Sequence, residues 1–121
     1  MEDLTKLLEK EKGTYGEQMF KDSGLEYMFK MCPDRVKLFF EESRADFSST
    51  LPKKTMELVL FSASVALHSE IGFKAHAMGA LKAGATKREI LDVLFAAGNV
   101  ASHSVTMNIL KDIEPILERE K

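Results

Sequence analysis

Ser69, Gly72 and His76 are spaced three and then four residues apart, so on a helix they share one stripe. A serine near a helix N-terminus can cap unpaired N–H groups, and the helix dipole there favours negative charge. Glycine inside a helix costs up to about 1 kcal/mol relative to alanine. Gly72 therefore points to close packing or to a cavity. Histidine is the side chain that gains and loses a proton near neutral pH. On the preceding segment Glu57, Ser64 and His68 fall along one side, a polar seam through an otherwise apolar stretch. These are residue types of acid–base chemistry. Each also has a structural reading: His76 as a hydrogen-bonded core or interface histidine, Glu57 as an exposed first-turn glutamate favoured by the dipole.

Other candidates are weaker. His68, His76 and His103 invite a three-histidine metal site, but no His-x-x-x-His or HExxH pattern supports it, so no metal is expected. Asn99 and His103 share a helical face if one helix runs that far, with helix-terminal hydrogen bonding as the ordinary explanation. Cys32 precedes a helix start, a position that favours thiolate; a half-buried structural cysteine is the alternative. The seven methionines and eight phenylalanines read as core and interface filler.

The elements that must position these residues read as helices throughout, and no stretch alternates strictly like a half-buried strand. Leu4, Leu7 and Leu8 stripe a first helix that Gly13 or Gly16 can end. Leu25, Tyr27, Met28 and Phe29 suggest a short second segment stopped at Pro33. Pro33 then suits the first position of the next helix, where its missing N–H costs nothing, with Val36, Phe39 and Phe40 as the buried side. "ADFSSTLP", Ala45 to Pro52, is the one substantial loop. Residues 53–67 form the most apolar helix, with apolar side chains around so much of its circumference that burial on most sides is expected.

A break near His68 and Ser69 leads into a helix over about 70–83, which Gly84 ends in the left-handed conformation. Thr86 and Glu89 form a capping box for a helix from Lys87 to about Ala101. A last helix starts near Ser104, carries Val105, Ile109, Leu110 and Ile113, and meets Pro115, which kinks or restarts it. The fold class is all-α.

A chain of 121 residues is one domain of ordinary size. With 45% hydrophobic and 30% charged residues it reads as soluble and globular. A net charge of −2 supplies no global field toward nucleic acid or an anionic membrane, and neither is expected as a partner. The first residues lack the basic and apolar regions of a signal peptide, and the apolar runs are too short to span a bilayer. A cytoplasmic location is the expectation. One cysteine excludes an intramolecular disulfide or a multi-cysteine zinc site.

The run "MELVLFSASVALHSEIGFKAHAMGALKAGATKREILDVLFAAG", Met56 to Gly98, resembles the core of the carboxymuconolactone decarboxylase family, which includes the alkylhydroperoxidase D-like proteins. Three features carry the resemblance: Glu57 opening the buried helix, His76 on the next, and the turn "KAGATKREI", Lys82 to Ile90. The spacing from Glu57 to Ser69 to His76 is similar to that of the family's glutamate, first cysteine and histidine. It implies a single-domain bundle of about six helices over residues 1–121, alkylhydroperoxidase D-like, with a family core at 53–115. It also implies a homo-oligomer, trimer or hexamer, and the surplus of apolar surface on helix 53–67 independently fits burial against a neighbouring subunit.

The redox branch of that family carries Cys-x-x-Cys where this chain has Ser69 and Gly72. A serine hydroxyl stays protonated at neutral pH and does not cycle through a disulfide, so peroxidase or dithiol reductase activity is not expected. The decarboxylase branch does not need the cysteines. Resemblance to it implies a lyase or isomerase acting on a small carboxylated substrate, an unsaturated lactone carboxylate, without a cofactor. His76 would be the general acid and Glu57 its orienting partner, with Ser69, Gly72, His68 and His103 as pocket-lining candidates. Lys74 is a candidate cation for the substrate carboxylate. The alternative is a non-catalytic oligomeric member serving binding or assembly.

Overall fold

The computed structural model describes residues 24–46 and 50–119, with Lys6 and Glu9 as isolated helical positions. The expected first helix around Leu4, Leu7 and Leu8 otherwise lies outside the described residues, as do residues 47–49 of the expected loop. Six helices follow one another, and no strand occurs among the described residues. They are α1 (Leu25–Met31), α2 (Pro33–Asp46), α3 (Lys53–Ala66), α4 (Glu70–Lys82), α5 (Lys87–Ala101) and α6 (His103–Arg119). The chain divides into two compact units, Met1–Pro52 and Lys53–Lys121.

In the first unit, Pro33 opens α2 as its fixed φ predicts. Cys32 serves both helices: its N–H donates to Met28 O at 2.7 Å, and its carbonyl accepts from Arg35 and Val36. Val36 and Phe40 are buried, with Leu25, Met28 and Phe29 packed on them. Phe39, expected on that buried side, is instead 46% exposed, its ring meeting Phe40 edge-on at 5.6 Å. The apolar stripe of α2 therefore narrows to the i, i+4 pair. Asp46 still belongs to α2, so the expected loop begins later than "ADFSSTLP" implies.

In the second unit, α3 packs chiefly on α4 and α5, and α6 lies against α5 and α4. Phe61 and Val65 of α3, Phe73 of α4, Leu94 of α5 and Ile109 and Ile113 of α6 are fully buried at its centre. Helix α3 is not buried on most sides within the chain. Its buried residues are Glu57, Phe61 and Val65, one face, while Val59 is 47% exposed. Pro115 does not restart α6, which runs through it to Arg119. Gly98 of α5 is buried where α6 crosses, and a methyl group there would overlap Thr106 Oγ1.

Both turns flanking α4 close in the same way. After α4, Gly84 takes φ 100°, its N–H donates to Leu81 O, and Ala85 N–H donates to Ala80 O. After α3, His68 takes φ 53°, its N–H donates to Val65 O, and Ser69 N–H donates to Ser64 O. These are two Schellman closures. Glycine fills the left-handed position in one; a histidine fills it in the other, at a steric cost. The capping box on α5 forms as its sequence predicts, with Thr86 Oγ1 accepting from Glu89 N–H at 3.0 Å and Glu89 Oε1 accepting from Thr86 N–H at 2.9 Å. Lys54 reaches this box from the first turn of α3, its Nζ 3.1 Å from Glu89 Oε2. The hydrogen bonds from Thr86 N–H and then from Lys54 hold the Glu89 carboxyl below its ordinary range.

Candidate functional site

The tight turn at Leu67–Ser69 folds α4 back along α3, so residues early in α3 meet residues late in α4. Glu57 and Ser64 stand seven residues apart on α3, and Gly72 and Gly79 seven apart on α4. A Cβ at Gly79 would collide with the Glu57 carboxylate, lying 2.5 Å from its Cδ. A Cβ at Gly72 would lie 2.7 Å from Ser64 Oγ and 2.8 Å from Ser69 Oγ. At two successive layers, then, a glycine of α4 makes room for a polar group of α3. Gly72 has the close-packing role its position in a helix suggests.

The lower layer holds the acid–base residue types. Glu57 is fully buried, and His76 Nδ1 lies 3.0 Å from its Oε2. The His76 side chain keeps 22% of its surface exposed, so the imidazole is the solvent-facing member of the pair. A buried carboxylate is tolerable only with partners, and an imidazole at hydrogen-bond distance is such a partner. With a carboxylate as acceptor, the bond requires the proton on Nδ1, which fixes the ring orientation and puts the lone pair of the neutral ring on Nε2. The burial of Glu57 removes the reading of it as an exposed first-turn glutamate.

A sequence profile described as the carboxymuconolactone decarboxylase family matches residues 33–109, from the start of α2 into α6. The chain belongs to that family. No curated protein and no solved structure matches the chain. The matched span begins earlier than the 53–115 core and takes in all of α2. Its all-α, alkylhydroperoxidase D-like architecture is the one the family resemblance implies.

The remaining candidates distribute as follows. Ser69 is the N-cap of α4 but makes no side-chain capping bond; its hydroxyl stands beside Gly72, and Ser64 Oγ donates to Leu60 O at 2.8 Å. His68 is exposed at the turn, its ring edge-on to Phe73 at 6.2 Å, and is not hydrogen-bonded to the Glu57–His76 pair. His103 is exposed at the first position of α6, and Asn99 is exposed on α5. The helix they would share ends at Ala101, so they lie on different helices. Lys74 pairs along α4 with Glu70, Nζ to Oε1 2.8 Å, and that contact holds the Glu70 carboxyl below its ordinary range.

Cys32 is exposed rather than half-buried. Among the described residues no cluster of three or more His, Cys, Asp or Glu can hold a metal ion, and no helix is long and apolar enough to cross a membrane. Gly79 escapes the sequence reading. The signal is there, since it is a second helix-interior glycine, three residues after His76, open to the argument that singles out Gly72.

Proposed function

We propose that the protein is a thiol-independent lyase or isomerase acting on a small carboxylated substrate, with His76 as the general acid–base residue and Glu57 as its orienting partner. The observation that carries this reading is the Nδ1–Oε2 bond of 3.0 Å between a solvent-facing imidazole and a fully buried carboxylate. Membership of the carboxymuconolactone decarboxylase family supports it. Ser69 and Gly72 in place of a cysteine pair argue against the family's redox chemistry.

For an unsaturated lactone carboxylate the balance is simple. The bond between the carboxylate carbon and the ring breaks, and carbon dioxide leaves. The electron pair passes into the conjugated lactone carbonyl, and the resulting enolate takes a proton at carbon from Nε2 of the His76 imidazolium, leaving the neutral ring with its proton on Nδ1. Glu57 keeps Nδ1 protonated, so one nitrogen alone gives up the proton and regains it from water.

The test is loss of the conjugated lactone absorbance with release of carbon dioxide, for wild type and His76→Gln. A general acid contributes roughly 10²–10⁴-fold, and His76→Gln is expected to lose that much. Turnover in His76→Gln at the wild-type rate overturns the assignment. A wild type inert toward unsaturated lactone carboxylates would favour the non-catalytic assembly reading instead. On either reading we propose a homo-oligomer, trimer or hexamer, supported by Val59, Phe95 and Val100 standing 47%, 46% and 88% exposed on α3 and α5. Light scattering that returns a monomer rejects it.

A further inference from the structure

We infer that Gly79 is the positioning residue of the Glu57–His76 pair: the volume left by its missing side chain is the volume the Glu57 carboxylate occupies. Three observations converge. Gly79 is buried on α4, as are Phe73, Ala77 and Ala80, and α4 is the helix on which α3 chiefly packs. A Cβ there would meet Glu57 Oε2, Cδ and Oε1 before any other atom, with Cδ at 2.5 Å and Oε1 at 2.8 Å. And Gly79 follows His76 by three residues on one helix, so a single rigid element carries the imidazole and the surface on which the carboxylate rests.

The carboxylate is thus held between two parts of α4. His76 fixes one oxygen by a hydrogen bond, and the bare backbone at Gly79 lets the carboxyl group approach the helix closely. A methyl group at position 79 would stand under 3 Å from both oxygens and the carboxyl carbon, so turning the carboxyl about its last bond does not clear it and the side chain itself must shift. The carboxylate must withdraw from α4, and the Nδ1 bond lengthens or breaks. Glycine is otherwise a poor choice in the middle of a helix, which makes the close approach its reason for being there.

The pairing does not depend on which reaction the two residues perform, so its test is made on the full chain without substrate. Long-range ¹H–¹⁵N spectra of the imidazole report the tautomer of His76, with its signals assigned by their loss in His76→Gln. Wild type should show the Nδ1-protonated pattern. Glu57→Ala should lose it, and Gly79→Ala should lose it as well with Glu57 still present.

Stability gives a second readout that survives poor folding of the single variant. Gly79→Ala should lower the melting temperature in wild type but leave it unchanged or raise it in Glu57→Ala, where the carboxylate is gone and alanine is the better helix former. Wild-type ring signals in Gly79→Ala overturn the inference while leaving the proposed acid–base role standing. Wild-type signals in Glu57→Ala overturn both. A Gly79→Ala loss of the same size in both backgrounds, or failure of the double variant to fold, shows that the methyl group collides with something other than the carboxylate and rejects the inference.

Discussion

Cysteines introduced as Ser69→Cys and Gly72→Cys, in a Cys32→Ser background, should form an intramolecular disulfide. A Cβ at position 72 would lie 2.8 Å from Ser69 Oγ. Adding a Cβ–O bond of about 1.4 Å puts the two Cβ atoms no more than about 4.2 Å apart, inside the range that a disulfide spans. Closing a loop of about four residues removes chain entropy worth about 2 kcal/mol at room temperature in the loop-closure model. Against this stands the new Cβ, only 2.7 Å from Ser64 Oγ, which must turn away from it. Ser64 Oγ then gives up its 2.8 Å bond to Leu60 O, a loss of about 0.5–1.5 kcal/mol.

The oxidised protein should therefore be more stable than the reduced one, which carries the same crowding, by close to the full 2 kcal/mol. At about 4–8 °C per kcal/mol, that is a rise in melting temperature on the order of 10 °C. Thiol counting and intact mass after mild oxidation show whether the bond forms, and paired melts with and without reductant measure what it contributes. Two persistent thiols, or disulfides only between chains, would refute the geometry of this helix start. So would an oxidised form that melts below the reduced one.

Two further outcomes follow from the turns and caps. His68→Gly should stabilise the fold by about 0.5–1 kcal/mol, the difference between the left-handed strain of about 1–2 kcal/mol on an L-residue and the greater entropy glycine loses on folding; urea titration checks it, and a destabilised variant means that the His68 ring contributes more than its strain costs. Glu89→Gln should be less stable than wild type at neutral pH, with the difference vanishing in acid: the folded-state carboxyl titrates below the ordinary glutamate range, so its contribution is present above that range and is lost as pH falls through the folded pKa. A difference that persists unchanged at pH 2–3 would assign the effect to packing rather than charge.

How much of the fold is legible in the sequence depends on how local the signal is. The capping box at Thr86–Glu89, the stop at Gly84 and the start at Pro33 each rest on a few adjacent residues and backbone chemistry, and each forms where it is read. The Schellman closure at His68 is hidden because the residue that marks it is ordinarily glycine, so the sequence offers a break without its mechanism. Phe39 misleads because apolar type does not ensure burial: among the described residues of α2, those buried against α1 are Val36 and Phe40. Pro115 does not restart the helix: α6 runs on past it, and Arg119 Nε donates to the Pro115 carbonyl.

The site itself is half legible. Spacing places Glu57, Ser69 and His76 on facing stripes, but only the three-dimensional packing shows which of them meet. Ser69 meets Gly72 and Ser64 at one layer, and His76 meets Glu57 and Gly79 at the next. That division bears on what the chain can have kept. The family resemblance aligns Ser69 and Gly72 with the redox branch's cysteine pair, which would fall in the first layer, while Glu57 and His76 fall in the second. Replacing the thiols by Ser69 and Gly72 alters packing around Ser64 and leaves the carboxylate, its imidazole and the glycine beneath it untouched. The contacts of Ser69 and Gly72 are therefore separate from those of the Glu57–His76 pair, although both lie between the same two helices. Burying Glu57 completely against His76 carries a desolvation cost that an apolar pair of similar volume would not, and the hydrogen bond to His76 Nδ1 is what offsets it.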